Sequence, residues 1–248
     1  MFNWFKPRCP CDAHQKAWIE DRLHWLYNEF PDNVYNGRRM ILPLAEFFPD
    51  RYDSSDESVL ALFRRVCTYM EVDADEIRLE IVSDAKENFW LVNDEGQVMP
   101  QAGGVFMQGE NQCIVRIDRV ELHDPMGLVG TIAHELAHVR LLGEGRYDAA
   151  AFDNELLTDL TVVYLGLGIF GTNSQRYYRS IDSSWPGTEV RRPEYMTPPM
   201  YAWALAHVAW HNNQRWPAWA THLQLGPRGD LKQALKYLWT TEDSVFRP

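Results

Sequence analysis

The chain has 248 residues, 46% hydrophobic and 24% charged, which is ample for the core of one large globular domain, with or without a helical appendage. A formal net charge of −11 repels polyanions and argues against nucleic acid or an anionic membrane surface as the main partner. Four cysteines, Cys9, Cys11, Cys67 and Cys113, are too few and too scattered for a disulfide framework and are expected as thiols in a reducing compartment.

The run from Met1 to Lys16 has no apolar stretch of the length a secretory leader needs, and its prolines, cysteines and charges come early, so the expectation is a cytoplasmic protein. Within it, Cys9-Pro10-Cys11 can bind a metal or cycle between redox states. Two thiolates are only half of a structural zinc site, however, and the plainer expectation is a pair of ordinary thiols. Residues 12–30 place Trp18, Ile19, Leu23, Leu26, Tyr27 and Phe30 along one side of a helix, stopped by Pro31 and Asp32, with His14 and His24 on its solvated side. After a Pro-rich connection at 42–50, Ser54 and Glu57 read as a capping box. Val59, Leu60, Phe63, Val66, Cys67 and Met70 follow at helical spacing. The period then shortens. Residues 77–82, 89–92, 105–108 and 114–117 are short β-rich runs separated by turns, and they predict a small, mostly antiparallel meander. The stretch Gly103 to Ile117 is a candidate rim able to bind an extended peptide by adding it to the sheet, the alternative being a hairpin that only packs.

From Asp124 to Gly143 the chain reads as one helix, with Asp124 able to cap it, Pro125 suited to its first position and Gly143 able to end it. It carries His134-Glu135-Leu136-Ala137-His138. Residues four apart share a helical face, so both imidazoles can converge on one ion, and Glu135, one step round, can reach a water beside it without ligating it. A packing stripe is already supplied by Ile132, Leu136, Val139 and Leu142, which leaves three polar groups embedded in an apolar run. Burying each without a partner costs roughly 2–7 kcal/mol on transfer scales, and a metal is the most economical partner.

Beyond a polar connection, a second helical run extends from about Asn154 to Phe170, capped by Asp153 or Asn154. It is too short to span a bilayer and carries Asp159 inside it. Catalytic zinc takes three protein ligands and leaves one position open. Glu155, at the start of this helix, is the best third ligand, and Asp159, one turn deeper, can accept the remaining N–H of a zinc-bound histidine. The plainer alternatives are helix-dipole stabilisation for Glu155 and a capping or surface ion pair for Asp159. Asp148 and Asp153 are possible substitutes for Glu155. The three-histidine zincin form needs Gly at 141 and His at 144, where this chain has Leu141 and Glu144.

The long 171–199 loop can serve as a lid or a substrate reader, and a Trp-rich helix follows at 200–214. His207 and His211 are again four apart, but no Glu follows His207 and no third ligand lies near in sequence, so a second metal pair is not expected. Tyr195, Tyr201 and His207 are candidate oxyanion donors, each with packing as the alternative. Two short helices end the chain, and the tryptophans between 203 and 239 either close a helical core or form a protein-partner surface.

His134-Glu135-x-x-His138 followed by Glu155-x-x-x-Asp159 resembles the gluzincin group of zinc metallopeptidases, over roughly residues 112–170. The resemblance implies one zinc ion per chain held by His134, His138 and Glu155, with Glu135 as base and proton shuttle and Asp159 as outer support. The expectation is therefore an α+β, zincin-like fold. Residues 1–170 carry the N-terminal helices, a small mostly antiparallel sheet and the zinc-binding helices, and residues 171–248 a loop and helical part closing the cleft, the two forming one continuous unit. The expected activity is hydrolysis of peptide or protein substrates. The alternatives are an inactive zinc-binding scaffold or regulatory protein, and a zinc hydrolase of non-peptide amides.

Overall fold

The computed structural model describes residues 7–83, 103–109, 112–174 and 183–247. Among these the fold is α+β, with seven α-helices and two small sheets. The chain packs as two units, Pro43–Asn154 and a second made of Met1–Leu42 with Glu155–Pro248. Among the described residues no helix is long and apolar enough to cross a membrane.

In the discontinuous unit, α1 spans Ala13–Glu29 and opens with a capping box: Asp12 accepts from Gln15 N at 2.9 Å, and the Gln15 side chain accepts from Asp12 N. Its buried side holds Trp18, Ile19, Leu23 and Leu26, the face expected from the apolar spacing, while His14 and His24 are exposed. Taking helices in chain order, α4 is Asn154–Tyr164, α5 is Gly168–Asn173, α6 is Pro198–His211 and α7 is Leu225–Thr241. α6 is apolar almost all round and correspondingly buried from Met200 to Ala209, and it packs against α1, α5 and α7. α7 presents Leu231, Ala234, Leu235 and Leu238 to this core, one face of an amphipathic helix. A short hairpin pairs β4 (Ser183–Ser184) with β5 (Arg191–Arg192) and leads into Trp185, which packs on Trp18 at 6.2 Å between ring centres.

The single helix expected over 154–170 is two. α4 stops because Gly166 adopts φ +96°, a conformation that favours glycine, and a Cβ there would meet Arg39 O at 2.9 Å. Gly166 O in turn accepts from Ile41 N at 2.9 Å, so the break is where the chain after α1 is stitched to this unit.

In the continuous unit, α2 (Asp56–Met70) is followed by β1 (Ile77–Val82), β2 (Gly104–Gln108), β3 (Cys113–Asp118) and α3 (Pro125–His138). The cap of α2 is Ser55, whose side chain accepts from Ser58 N, and not Ser54. Ser54 sits at φ +64° and gives its hydroxyl to Leu122 O at 2.9 Å, so it is unavailable to the helix. The sheet also differs from a meander. Its order is β1-β3-β2, with β1 parallel to β3 (Ile77 opposite Cys113) and β2 antiparallel to β3 (Gly104 opposite Ile117). Alternation marks where strands are and says nothing of which strand is whose neighbour; among the described residues this sheet joins one parallel and one antiparallel pairing. The expected strand at 89–92 lies outside the described residues. Val115 and Ile117 on the central strand are fully buried, and α3 packs on β2, β3 and α2.

Candidate metal centre

The local sequence explains why α3 begins and ends where it does. Asp124 accepts from Met126 N at 3.1 Å and Pro125 occupies the first turn, where its missing N–H costs nothing. From Leu128 onward every residue of α3 is buried, including His134 and Glu135 at 4% exposure and His138 at 7%. The imidazoles of His134 and His138 lie 4.9 Å apart between ring centres at 84°, so the i, i+4 spacing brings both rings to one place.

After His138 the helix widens into a π-type turn over Val139–Gly143 instead of continuing unchanged to Gly143. The wider turn shifts the buried face, so that Leu141 is fully buried and Leu142, which α-helical spacing assigns to the core, is only half-buried. It also aims Arg140 at the end of α2. There Nη1 donates to Met70 O and Glu71 O, each at 2.9 Å, while Nε pairs with Glu144 at 2.7 Å. A guanidinium on the last carbonyls of α2 satisfies acceptors the helix cannot, and it braces the exit of the histidine helix.

Strand β2 covers the same helix. Its alternate residues Gly104 and Phe106 face α3: the Phe106 ring stacks on His138 at 6.0 Å and 17°, and Gly104 lies over Glu135. A Cβ on residue 104 would stand 2.8 Å from Thr131 Cγ2 and 3.0 Å from both Cγ and Oε1 of Glu135. The absence of a side chain there is what leaves Glu135 its place. Neither Gly104 nor Phe106 was singled out by the sequence; glycine inside a strand is the only signal that pointed to a close approach.

Glu155 is on the first turn of α4, directly after Asn154, where the continuous unit ends. One ligand atom each from His134, His138 and Glu155 lie within 4.8 Å of one another, and among the described residues this is the only such group of three. Of the possible substitutes, Asp148 is exposed and accepts from Ala150 N at 2.9 Å, and Asp153 is fully buried and accepts from the Tyr147 hydroxyl at 2.6 Å.

Asp159 is buried at 3% exposure, and its Oδ2 accepts from Met196 N at 2.9 Å, which ties the 192–196 segment to α4 one turn below Glu155. That segment carries Glu194, an acid the sequence did not flag. Burial, and after it the charge of Glu155, push its carboxyl up to about 7, against the pull of Arg192. No local spacing links residue 194 to residue 155, so only the tertiary path reveals it.

The three candidate oxyanion donors fall differently. Tyr195 is half-buried on the tethered segment, and Tyr201 is 3% exposed with its ring edge and hydroxyl against Gly171. His207 is fully buried, with Nδ1 2.9 Å from Trp203 O and Nε2 2.9 Å from Ser244 Oγ, which leaves it no ring nitrogen for an oxyanion. Of the C-terminal tryptophans, Trp203 and Trp219 are buried, Trp239 and Trp210 are covered by the guanidiniums of Arg215 and Arg247, and Trp216 is exposed.

Compared with protein-family models, curated proteins and solved structures, the chain matches none. Its functional reading therefore rests on its own residues.

Proposed function

We propose that the chain is a zinc-dependent metallopeptidase of the gluzincin kind, on a zincin-like fold. The observation that carries this reading is the convergence of His134, His138 and Glu155, with Glu135 buried between the two histidines in sequence and under Gly104 in space. The donor set suits zinc: two imidazoles and a carboxylate are three ligands of the type and number that catalytic zinc takes, drawn together where burial makes an unpartnered polar group costly. A zinc ion held there supplies Lewis-acid polarisation of the scissile carbonyl and a more acidic water.

The remaining work falls to the chain. Glu135 takes the proton of the attacking water and returns it to the departing amine, the two-way transfer a general base performs in peptide hydrolysis. Gly104 keeps the carboxylate free to do so. β2 pairs with β3 along one edge, and among the described residues its other edge has no strand neighbour, so an extended peptide can hydrogen-bond along it. Phe106, stacked on His138, sets that ring's orientation. Asp159 holds the 192–196 segment and with it the acid Glu194 next to the helix of Glu155.

Purified protein with about one zinc per chain that cleaves members of a broad peptide library, and loses that cleavage on Glu135→Gln with the zinc retained, is the expected result. Stoichiometric zinc without turnover would turn the reading to a binding protein, and turnover of small amides alone would turn it to a non-peptide hydrolase.

A further inference from the structure

α7 ends at Thr241, and Glu242 after it takes φ +51°, which turns the chain back toward α1 and α6. Asp243 pairs with Lys16 at 3.3 Å and accepts from the Tyr237 hydroxyl. The Ser244 hydroxyl lies 2.9 Å from Nε2 of His207, Val245 N donates to Glu20 at 2.9 Å, and Val245 O lies 3.0 Å from Nε2 of His24. Phe246 is fully buried, with its ring 5.0, 5.1 and 5.3 Å from those of His24, Tyr35 and His211. Arg247 lies over Trp210.

This strap is held by side chains. Among the described residues no backbone-to-backbone hydrogen bond joins residues 244–247 to another element, so the strap can part from the unit without breaking a helix or a sheet ladder. Its two histidine partners are badly placed to carry charge. His207 is fully buried and gives its Nδ1 proton to Trp203 O, so a second proton can enter only at Nε2, where the Ser244 hydroxyl lies. Nε2 of His211 is buried with no hydrogen-bond partner among the described residues. The charged groups facing these rings are Lys16 and Glu20 of α1 and Arg247 of the strap, with Tyr35 the neutral neighbour of His211. Glu20, 3.8 Å from His207, is already shared between Lys16 at 3.1 Å and Val245 N. Burial pushes His207 down to about 3 and His211 down to about 4, and Arg247 acts in the same direction on both.

We propose that residues 243–247 form an acid-released latch, closed while His207 and His211 are neutral and opening as one piece when they take up protons, with α1, α6 and α7 still folded. Released from the strap, both rings meet water and return toward an ordinary 6.5. The open state therefore binds more protons, so the closed state is fully favoured above about pH 6.5 and loses ground as the pH falls toward 4. Opening uncovers the Phe246 ring and the aromatic walls around it, an apolar surface presented only in acid.

Hydrogen–deuterium exchange on the full-length protein, corrected for the intrinsic pH dependence of exchange, compares the 243–247 segment with α6. Between pH 7.5 and pH 5 the opening equilibrium of the segment should rise roughly 10³-fold, about 30-fold for each histidine that returns to its ordinary value, while α6 keeps its protection. His207→Gln should cut that rise to about 30-fold, and His211→Gln likewise. Opening that does not change with pH would overturn the proposal. So would exchange of the segment in step with α6 at both pH values, which marks unfolding of the whole unit. That comparison is made on the wild-type chain and decides the matter whether or not either variant folds.

Discussion

Two helices of this protein carry histidines four residues apart, and their surroundings differ. In α3, the rings of His134 and His138 meet at 4.9 Å and 84°, next to an acid that completes a donor group. In α6, His207 and His211 lie 6.2 Å apart at 30°, and their surroundings are those of a core. His207 as a neutral ring donates through Nδ1 to Trp203 O and accepts at Nε2 from Ser244, while His211 lies edge-on to Tyr35 and Phe246. Burial pushes these two imidazoles down to about 3 and about 4, so both are neutral at ordinary pH. Spacing brings two rings to one face. Whether they bind an ion depends on what else arrives there: a carboxylate from another helix in one case, a backbone carbonyl and a serine in the other.

The contrast is broken or sharpened by substitutions of graded effect. Glu135→Gln should reduce peptide hydrolysis by roughly 10²–10⁴-fold, the usual worth of a general base, with zinc content unchanged by metal analysis. Retained turnover would remove Glu135 from the mechanism and leave α3 with a ligand site only. Glu155→Ala should weaken zinc binding by more than the roughly 10–100-fold expected of Asp159→Asn, because a ligand is worth more than the group supporting it. Competition with a chelator ranks the two, and the reverse order would mean that Glu155 is not the third ligand. Gly104→Ala should lower turnover by about 10²-fold with zinc still bound, since the new methyl lands where the Glu135 side chain lies, and such misplacement carries that cost. Full activity in this variant would show that Glu135 has room to spare.

The smallest effect on the metal, none at all, is expected from His207→Gln, which should alter stability instead. With folded-state values near 3 and 4 against an ordinary 6.5, His207 and His211 take up protons more readily when the chain is unfolded. Their contribution to stability is therefore complete above about pH 6.5 and is lost progressively as the pH falls toward 4 and then 3. Denaturation midpoints measured between pH 7 and pH 4 should fall less steeply in the variant than in the wild type. Zinc lost together with stability would erase the distinction between the two helices.

Much of the fold could be read from local pattern. The faces of α1 and α2, the start of α3 at Asp124 and Pro125, and the acidic first turn of α4 all follow from spacing and capping within a few residues. The errors share a cause. Ser55 replaced Ser54 as a cap because Leu122 claims the neighbouring hydroxyl, and one helix became two because Gly166 turns under Arg39. Leu141 replaced Leu142 in the core because the turn after His138 widens to seat Arg140 on the end of α2. In each case a residue distant in sequence altered a local choice.

The sequence by itself determined the groups on offer, two imidazoles and a carboxylate on one helix and an acid pair on the next, because helical periodicity is set by the backbone over a turn or two. Only the tertiary structure decided that β1 lies beside β3, that Gly104 stands over Glu135, that Asp159 holds Met196 and brings Glu194 near, and that the histidines of α6 are locked in a core. Those facts depend on which surfaces bury one another, and burial sums contributions from the whole chain, which no short stretch of residues encodes.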